Sequence, residues 1–98
     1  MVKHIILWKL KEEHNNEAVK MGIKNGLEGL KGKIPGLLEI KVQTENLETS
    51  NANVMLYSVF DSEETLKDYA INPIHVKVAN EKVRPFTETR LCMDFRDE

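Results

Sequence analysis

Two segments of this chain are apolar on both faces of the strands they encode, and that most limits what the chain can fold into. In Val2–Leu10, the residues His4, Ile6, Trp8 and Leu10 alternate with Lys3, Ile5, Leu7 and Lys9, which is the period-two pattern of a strand. In Val54–Phe60, the residues Val54, Leu56 and Phe60 oppose Met55, Tyr57 and Val59, and only Ser58 is polar. A layer of helices covers one face of a sheet. The apolar residues on the other face then need a cover of their own.

The remaining segments supply those helices. Val19, Ile23, Leu27 and Leu30 follow at spacings of four, four and three, one stripe of a helix running from about Glu12 to Lys33. Asn15 or Asn16 is placed to cap its start. Gly22, Gly26 and Gly29 lie inside it and read as sites of close packing, not as a phosphate loop, which would follow a strand. Ile34-Pro35-Gly36 ends the helix. Leu37–Thr44 is a second strand with Leu38, Ile40 and Val42 on one face and Glu39, Lys41 and Gln43 on the other, a pattern suited to a sheet edge. Residues 45–53 are a polar loop. Asp61-Ser62-Glu63-Glu64 carries a capping oxygen followed by acidic residues, a helix start, and Leu66, Tyr69 and Ala70 give that helix its inner side. Asn72-Pro73 breaks it, and one or two further turns are expected over Pro73–Val83. Phe86–Phe95 is the last strand, with Thr87, Thr89, Leu91, Met93 and Phe95 opposite Glu88, Arg90, Cys92 and Asp94. The order strand, helix, strand, strand, helix, strand predicts an α+β, ferredoxin-like fold: a four-stranded antiparallel sheet with its helices on one face.

Ninety-eight residues allow one domain, taken as 1–98. Charge is balanced at 14 basic against 16 acidic residues, and no basic stripe argues for nucleic acid. No apolar run reaches transmembrane length, so no membrane role is expected. One cysteine, Cys92, forbids an internal disulfide and favours the cytoplasm. The uncovered sheet face is most economically buried against a second copy, sheet on sheet. The competing arrangement is a monomer whose loop 45–53 folds over the sheet.

The opening VKHIILWKLK, the central IPGL and the segment DYAINPIHVKV together resemble the stress-responsive A/B barrel domain (Dabb) family of the dimeric α/β barrel superfamily. The resemblance runs from Val2 to about Phe95. It implies the ferredoxin-like fold, a homodimer in which two sheets pair, and a cavity between sheet and helices in each protomer. The family includes plant stress proteins and a plant polyketide cyclase. In that cyclase a tyrosine and a histidine tied to catalysis match Tyr69 and His75, and a histidine of the first strand matches His4. A further pocket histidine is replaced by Val54, and the frequent His-Pro-x-His is Asn72-Pro73-Ile74-His75 here. These departures argue against the same cyclisation of the same substrate.

Tyr69 and His75 are accordingly the candidate catalytic pair. A neutral imidazole accepts a proton near pH 7, and a phenol donates a hydrogen bond to a carbonyl oxygen as charge develops on it. That chemistry requires no metal and no cofactor, and none is expected: His4, His14 and His75 lack ligand spacing and Cys92 has no partner cysteine. The competing reading makes Tyr69 a half-buried helix aromatic and His75 a packing residue beside Pro73. His4, Trp8 and Leu56 are candidate substrate contacts, against the plainer role of core or interface residues. Two functions follow. In one, each protomer binds a small, largely apolar carbonyl compound, with possible acid–base chemistry at Tyr69 and His75. In the other, the protein is a non-catalytic stress or assembly protein whose role is a stable homo-oligomer. Whether Tyr69 and His75 face a cavity separates them.

Overall fold

The computed structural model describes residues 1–97. Strand β1 (Val2–Leu10) leads through a short 3-10 turn at Glu12–His14 into helix α1 (Glu17–Glu28). Strands β2 (Leu37–Gln43) and β3 (Val54–Phe60) follow, then helices α2 (Glu63–Ile71) and α3 (Pro73–Val78) and strand β4 (Thr87–Arg96). The sheet order is β2-β3-β1-β4, and every neighbouring pair is antiparallel. This is the ferredoxin-like arrangement that the strand pattern required. No helix among the described residues is long and apolar enough to cross a membrane.

Helix α1 is shorter than its apolar stripe. The Asn16 side chain accepts from the Val19 amide at 2.9 Å, which fixes the start at residue 17. Gly29 forms the far cap, and the chain leaves by turns in which Leu30 and Ile34 stay buried. The stripe therefore continues past the helix, because burial needs side-chain direction and not helical hydrogen bonds. A Cβ on Gly26 would lie 2.9 Å from Val78 Cγ1, so this glycine lets α1 approach α3 closely. Ser62 caps α2 through the Thr65 amide at 3.2 Å. Asn72 ends α2 and caps α3, accepting from the Ile74 amide at 2.9 Å with Pro73 beginning the helix. Beyond α3 the chain widens into a π turn at Ala79–Val83 and a 3-10 turn at Arg84–Phe86.

The core lies between the sheet and these helices. Ile6, Trp8, Leu10, Val42, Leu56 and Phe60 meet Ile23, Leu27, Leu30 and Val83 there. Strand β2 departs from the expected alternation. Leu37, Ile40 and Val42 are buried while Leu38 is exposed, because the pairing with β3 slips between Leu37 and Glu39. That irregularity shifts the face by one residue. Strand β4 has a similar slip opposite Lys9 and Leu10.

On the opposite sheet face Leu7, Leu91, Met93 and Phe95 are exposed, Leu91 and Met93 by 65% and 67%. Loop 45–53 does not cover them: its one large apolar residue, Leu47, is itself 77% exposed. The arrangement in which this loop shields the sheet is therefore absent among the described residues.

Candidate functional site

The site begins with the polarity of β4. Register pairs Lys3 with Phe95, Ile5 with Met93 and Leu7 with Leu91, so the apolar residues of β4 lie on the sheet face away from the helices. Its other residues, Arg90, Cys92, Asp94 and Arg96, point to the helix side, opposite Trp8, Ile6, His4 and Val2. An edge strand with polar residues on the inner face cannot complete an apolar core. A cavity of about 510 Å³ remains between β1, β4 and the α2–α3 segment. That volume suits a small organic ligand.

His4, Trp8, Leu56, Tyr69 and His75 all line this cavity. Tyr69 reaches it from the last turn of α2 and His75 from the first turn of α3, across the Asn72-Pro73 junction. Their rings stack with centroids 3.9 Å apart and planes 27° from parallel. The His4 ring stands edge-on to Tyr69 at 6.0 Å. Tyr69 is only 2% exposed, yet its hydroxyl has no hydrogen-bond partner, and neither has His75 Nδ1. A buried polar group left unpaired costs roughly 1–3 kcal/mol, and both of these atoms belong to residues that line the cavity.

Burial pushes the Tyr69 phenol far above its ordinary value, opposed by the nearby Arg90 charge. The phenol is a hydrogen-bond donor and not a phenolate. Burial holds the His75 imidazole below its ordinary value, opposed by the Tyr69 backbone and reinforced by the Arg84 charge. His75 is therefore neutral at pH 7 and able to accept a proton.

Asp94 is a site residue that sequence spacing did not single out. It sits directly across from His4 in the β1–β4 register and hydrogen-bonds His4 Nδ1. A carboxylate only accepts, so Nδ1 carries the proton. On the other side Ser58 Oγ donates to the His4 carbonyl at 3.0 Å, and the row Ser58–His4–Asp94 fixes both backbone and ring. The available signal was the polar alternation of the last strand together with the antiparallel pairing of chain ends.

Cys92 is exposed at the same rim. Its sulfur lies 3.7 Å from His4 Nδ1 and 3.5 Å from Asp94 Oδ1. Sequence spacing gave no metal ligands, whereas the fold gathers these three donor atoms within 4.8 Å of one another. Zinc bond lengths of about 2.0–2.3 Å imply tetrahedral edges near 3.5 Å, so the sulfur distances are compatible with an ion. Two features oppose one. The His4–Asp94 hydrogen bond would have to open, and the Arg90 guanidinium lies close enough to act on Cys92. Burial first, and Asp94 second, raise the thiol above its ordinary value, which suits a structural thiol better than a nucleophile.

The fold has close counterparts among solved structures. A dimeric protein of unknown function with a ferredoxin-like fold from Bacteroides fragilis is 32% identical, with a TM-score of 0.88 over 98% of this chain and 95% of its own. A protein from Arabidopsis thaliana is 20% identical, with a TM-score of 0.86 over 100% and 96%. A hydroxynitrile lyase from Passiflora edulis is 18% identical, with a TM-score of 0.81 over 96% and 90%; at that identity the likeness is one of fold. No curated protein matches the sequence significantly. The model of the stress-responsive A/B barrel domain matches residues 2–97, the span that holds all four strands, both helical segments and the cavity, and the chain belongs to that family.

Proposed function

We propose that this protein is a sheet-to-sheet homodimer whose protomers each bind a small, largely apolar carbonyl compound, and that Tyr69 and His75 act on it as hydrogen-bond donor and general base. The observation that carries this reading is the unpartnered Tyr69 hydroxyl, buried in a cavity whose floor is Ile6, Trp8, Leu27 and Leu56. A ligand carbonyl at that hydroxyl would satisfy it. The neutral His75 imidazole would then take a proton from the adjacent carbon. The C–H bond breaks, its electron pair forms a C=C bond, and the carbonyl electrons move onto oxygen, where the Tyr69 hydrogen bond strengthens. His4, oriented by Asp94, offers a second polar contact. The hydroxynitrile lyase of Passiflora edulis, which shares the fold, supports a role for this architecture in small-molecule chemistry. The dimeric Bacteroides fragilis protein supports a homodimer. A single free thiol suits the cytoplasm.

Acetophenone is a suitable neutral probe, with Trp8, the only tryptophan, as reporter. Tyr69→Phe is expected to leave the free protein as stable as the parent or up to ~1 kcal/mol more stable, since it deletes an unpaired group, and to weaken acetophenone binding. A destabilised variant with unchanged binding would overturn the assignment. Exchange of the acetophenone methyl protons with deuterated solvent tests the chemistry, and His75→Ala is expected to abolish it while the dimer survives. Exchange no faster than in buffer would leave binding without catalysis, and the role of a non-catalytic oligomer would gain.

A further inference from the structure

The net charge of the chain is -2, yet its cavity is ringed by cations. Lys67, Arg84, Arg90 and Arg96 line it, against Glu63 and Asp94 alone among the acidic residues. Both of those carboxylates are already engaged. Glu63 pairs with Arg96 at 3.1 Å, and Asp94 holds His4. Arg84 donates to Asn80 at 2.6 Å, a neutral partner that leaves its charge uncompensated. Lys67 and Arg90 have no carboxylate partner among the described residues.

Arg90 has the most informative position. It stands on the inner face of β4 opposite Trp8, and its charge acts on both the Tyr69 hydroxyl and the Cys92 sulfur. A guanidinium thus lines the same cavity as the one buried hydroxyl that lacks a partner. Arginine binds planar oxyanions through two parallel hydrogen bonds, and the apolar floor behind it lowers the local dielectric and strengthens such a contact.

We propose that the ligand of this cavity is a keto acid: its carbonyl meets Tyr69, its apolar part lies over Trp8 and Leu56, and its carboxylate pairs with Arg90 at the mouth, within the field of Lys67 and Arg84. This inference rests on the small-molecule reading above and narrows its substrate class. The same cationic mouth draws anionic ligands in from solution and makes their capture sensitive to salt.

The test compares β-benzoylpropionate with its methyl ester, both followed by Trp8 fluorescence. The acid is expected to bind about tenfold more tightly than the ester at low ionic strength, with the gap closing as salt rises. Arg90→Gln is expected to remove the gap and leave ester affinity unchanged. Arg90→Lys should restore part of it, and Lys31→Gln, an exposed site away from the cavity, should have no effect. Equal binding of acid and ester overturns the anion contact and leaves the apolar carbonyl reading standing. Equal losses in Arg90→Gln and Lys31→Gln overturn it as well, since the effect would then be one of net charge. Binding of neither compound overturns both readings.

Discussion

His4 and His75 reach the same cavity by opposite routes, and their surroundings give them different sensitivities. His4 is buried, with Asp94 at its ring and Ser58 at its backbone. His75 is half-buried, and its Nδ1 is not satisfied. Burial lowers its proton affinity in the folded state, so below the ordinary histidine value of about 6.5 the unfolded chain binds the extra proton first. The contribution of this residue to stability is therefore present above that pH and is lost as the pH falls toward the folded value. Denaturant midpoints measured from pH 7.5 down to 5 are expected to fall more steeply for the parent than for His75→Gln. Parallel declines would show that burial at His75 does not bear on stability. At this scale the sequence was informative about residue types and silent about partners. Tyr69 and His75 stood out because both lie in the segment DYAINPIHVKV, which carries the family resemblance. Asp94 did not, because its partner lies ninety positions away and only pairing of the two chain ends brings them together.

Strands and helices were legible wherever period and punctuation agreed. All four strands lie within one or two residues of their apolar alternation, and the caps at Asn16, Ser62 and Asn72 are asparagine or serine side chains accepting from a backbone amide. Two features resisted. Leu38 turned outward because a register slip is a property of the paired strand, β3, as much as of β2 itself. The first helix was overestimated because Leu30 and Ile34 continue its apolar stripe through turns. The link from α1 to β2 closes at Gly36, whose φ of +80° is a conformation glycine adopts without cost. A Cβ there would also fall 2.5 Å from the Thr65 side chain at the start of α2, and the Gly36 carbonyl accepts from the Asp61 amide at 3.0 Å. Gly32 has a similar φ of +85° but open space around it. Gly32→Ala is therefore expected to cost about 1 kcal/mol from backbone strain alone, and Gly36→Ala about 2–3 kcal/mol from strain plus collision. Chemical denaturation of the two variants measures the difference. Equal losses would show that α2 yields to the added methyl group.

At the scale of the whole molecule, the fourth strand explains both the cavity and the expected partner. Its polar residues face inward and leave the core unfinished beside His4. Its apolar residues, Leu91, Met93 and Phe95, face outward beside Ile5 and Leu7. The sequence already demanded a cover for two double-sided strands; that the last strand adds its apolar face to the same side became visible only from the pairing register. A row of exposed leucine and methionine across two strands, with half-buried Met55 and Tyr57 on a third, is a large apolar surface for a chain of this size. Packing it against its own copy gives a self-complementary two-fold contact. Met93, exposed by 67% and paired with Ile5 across the strands, is the residue at which to test this. In an isolated protomer Met93→Glu introduces a hydrated charge on the surface and changes stability by no more than about 0.5 kcal/mol. In a sheet-to-sheet dimer it introduces one carboxylate from each copy into an apolar layer, at a cost of several kcal/mol. Light scattering coupled to size exclusion is expected to give a dimer for the parent and a monomer for Met93→Glu, with association weakened at least about a hundredfold. Met93→Leu, which keeps the apolar volume, is expected to remain dimeric. A monomeric parent, or a Met93→Glu protein that stays dimeric, would show that a different surface covers this sheet.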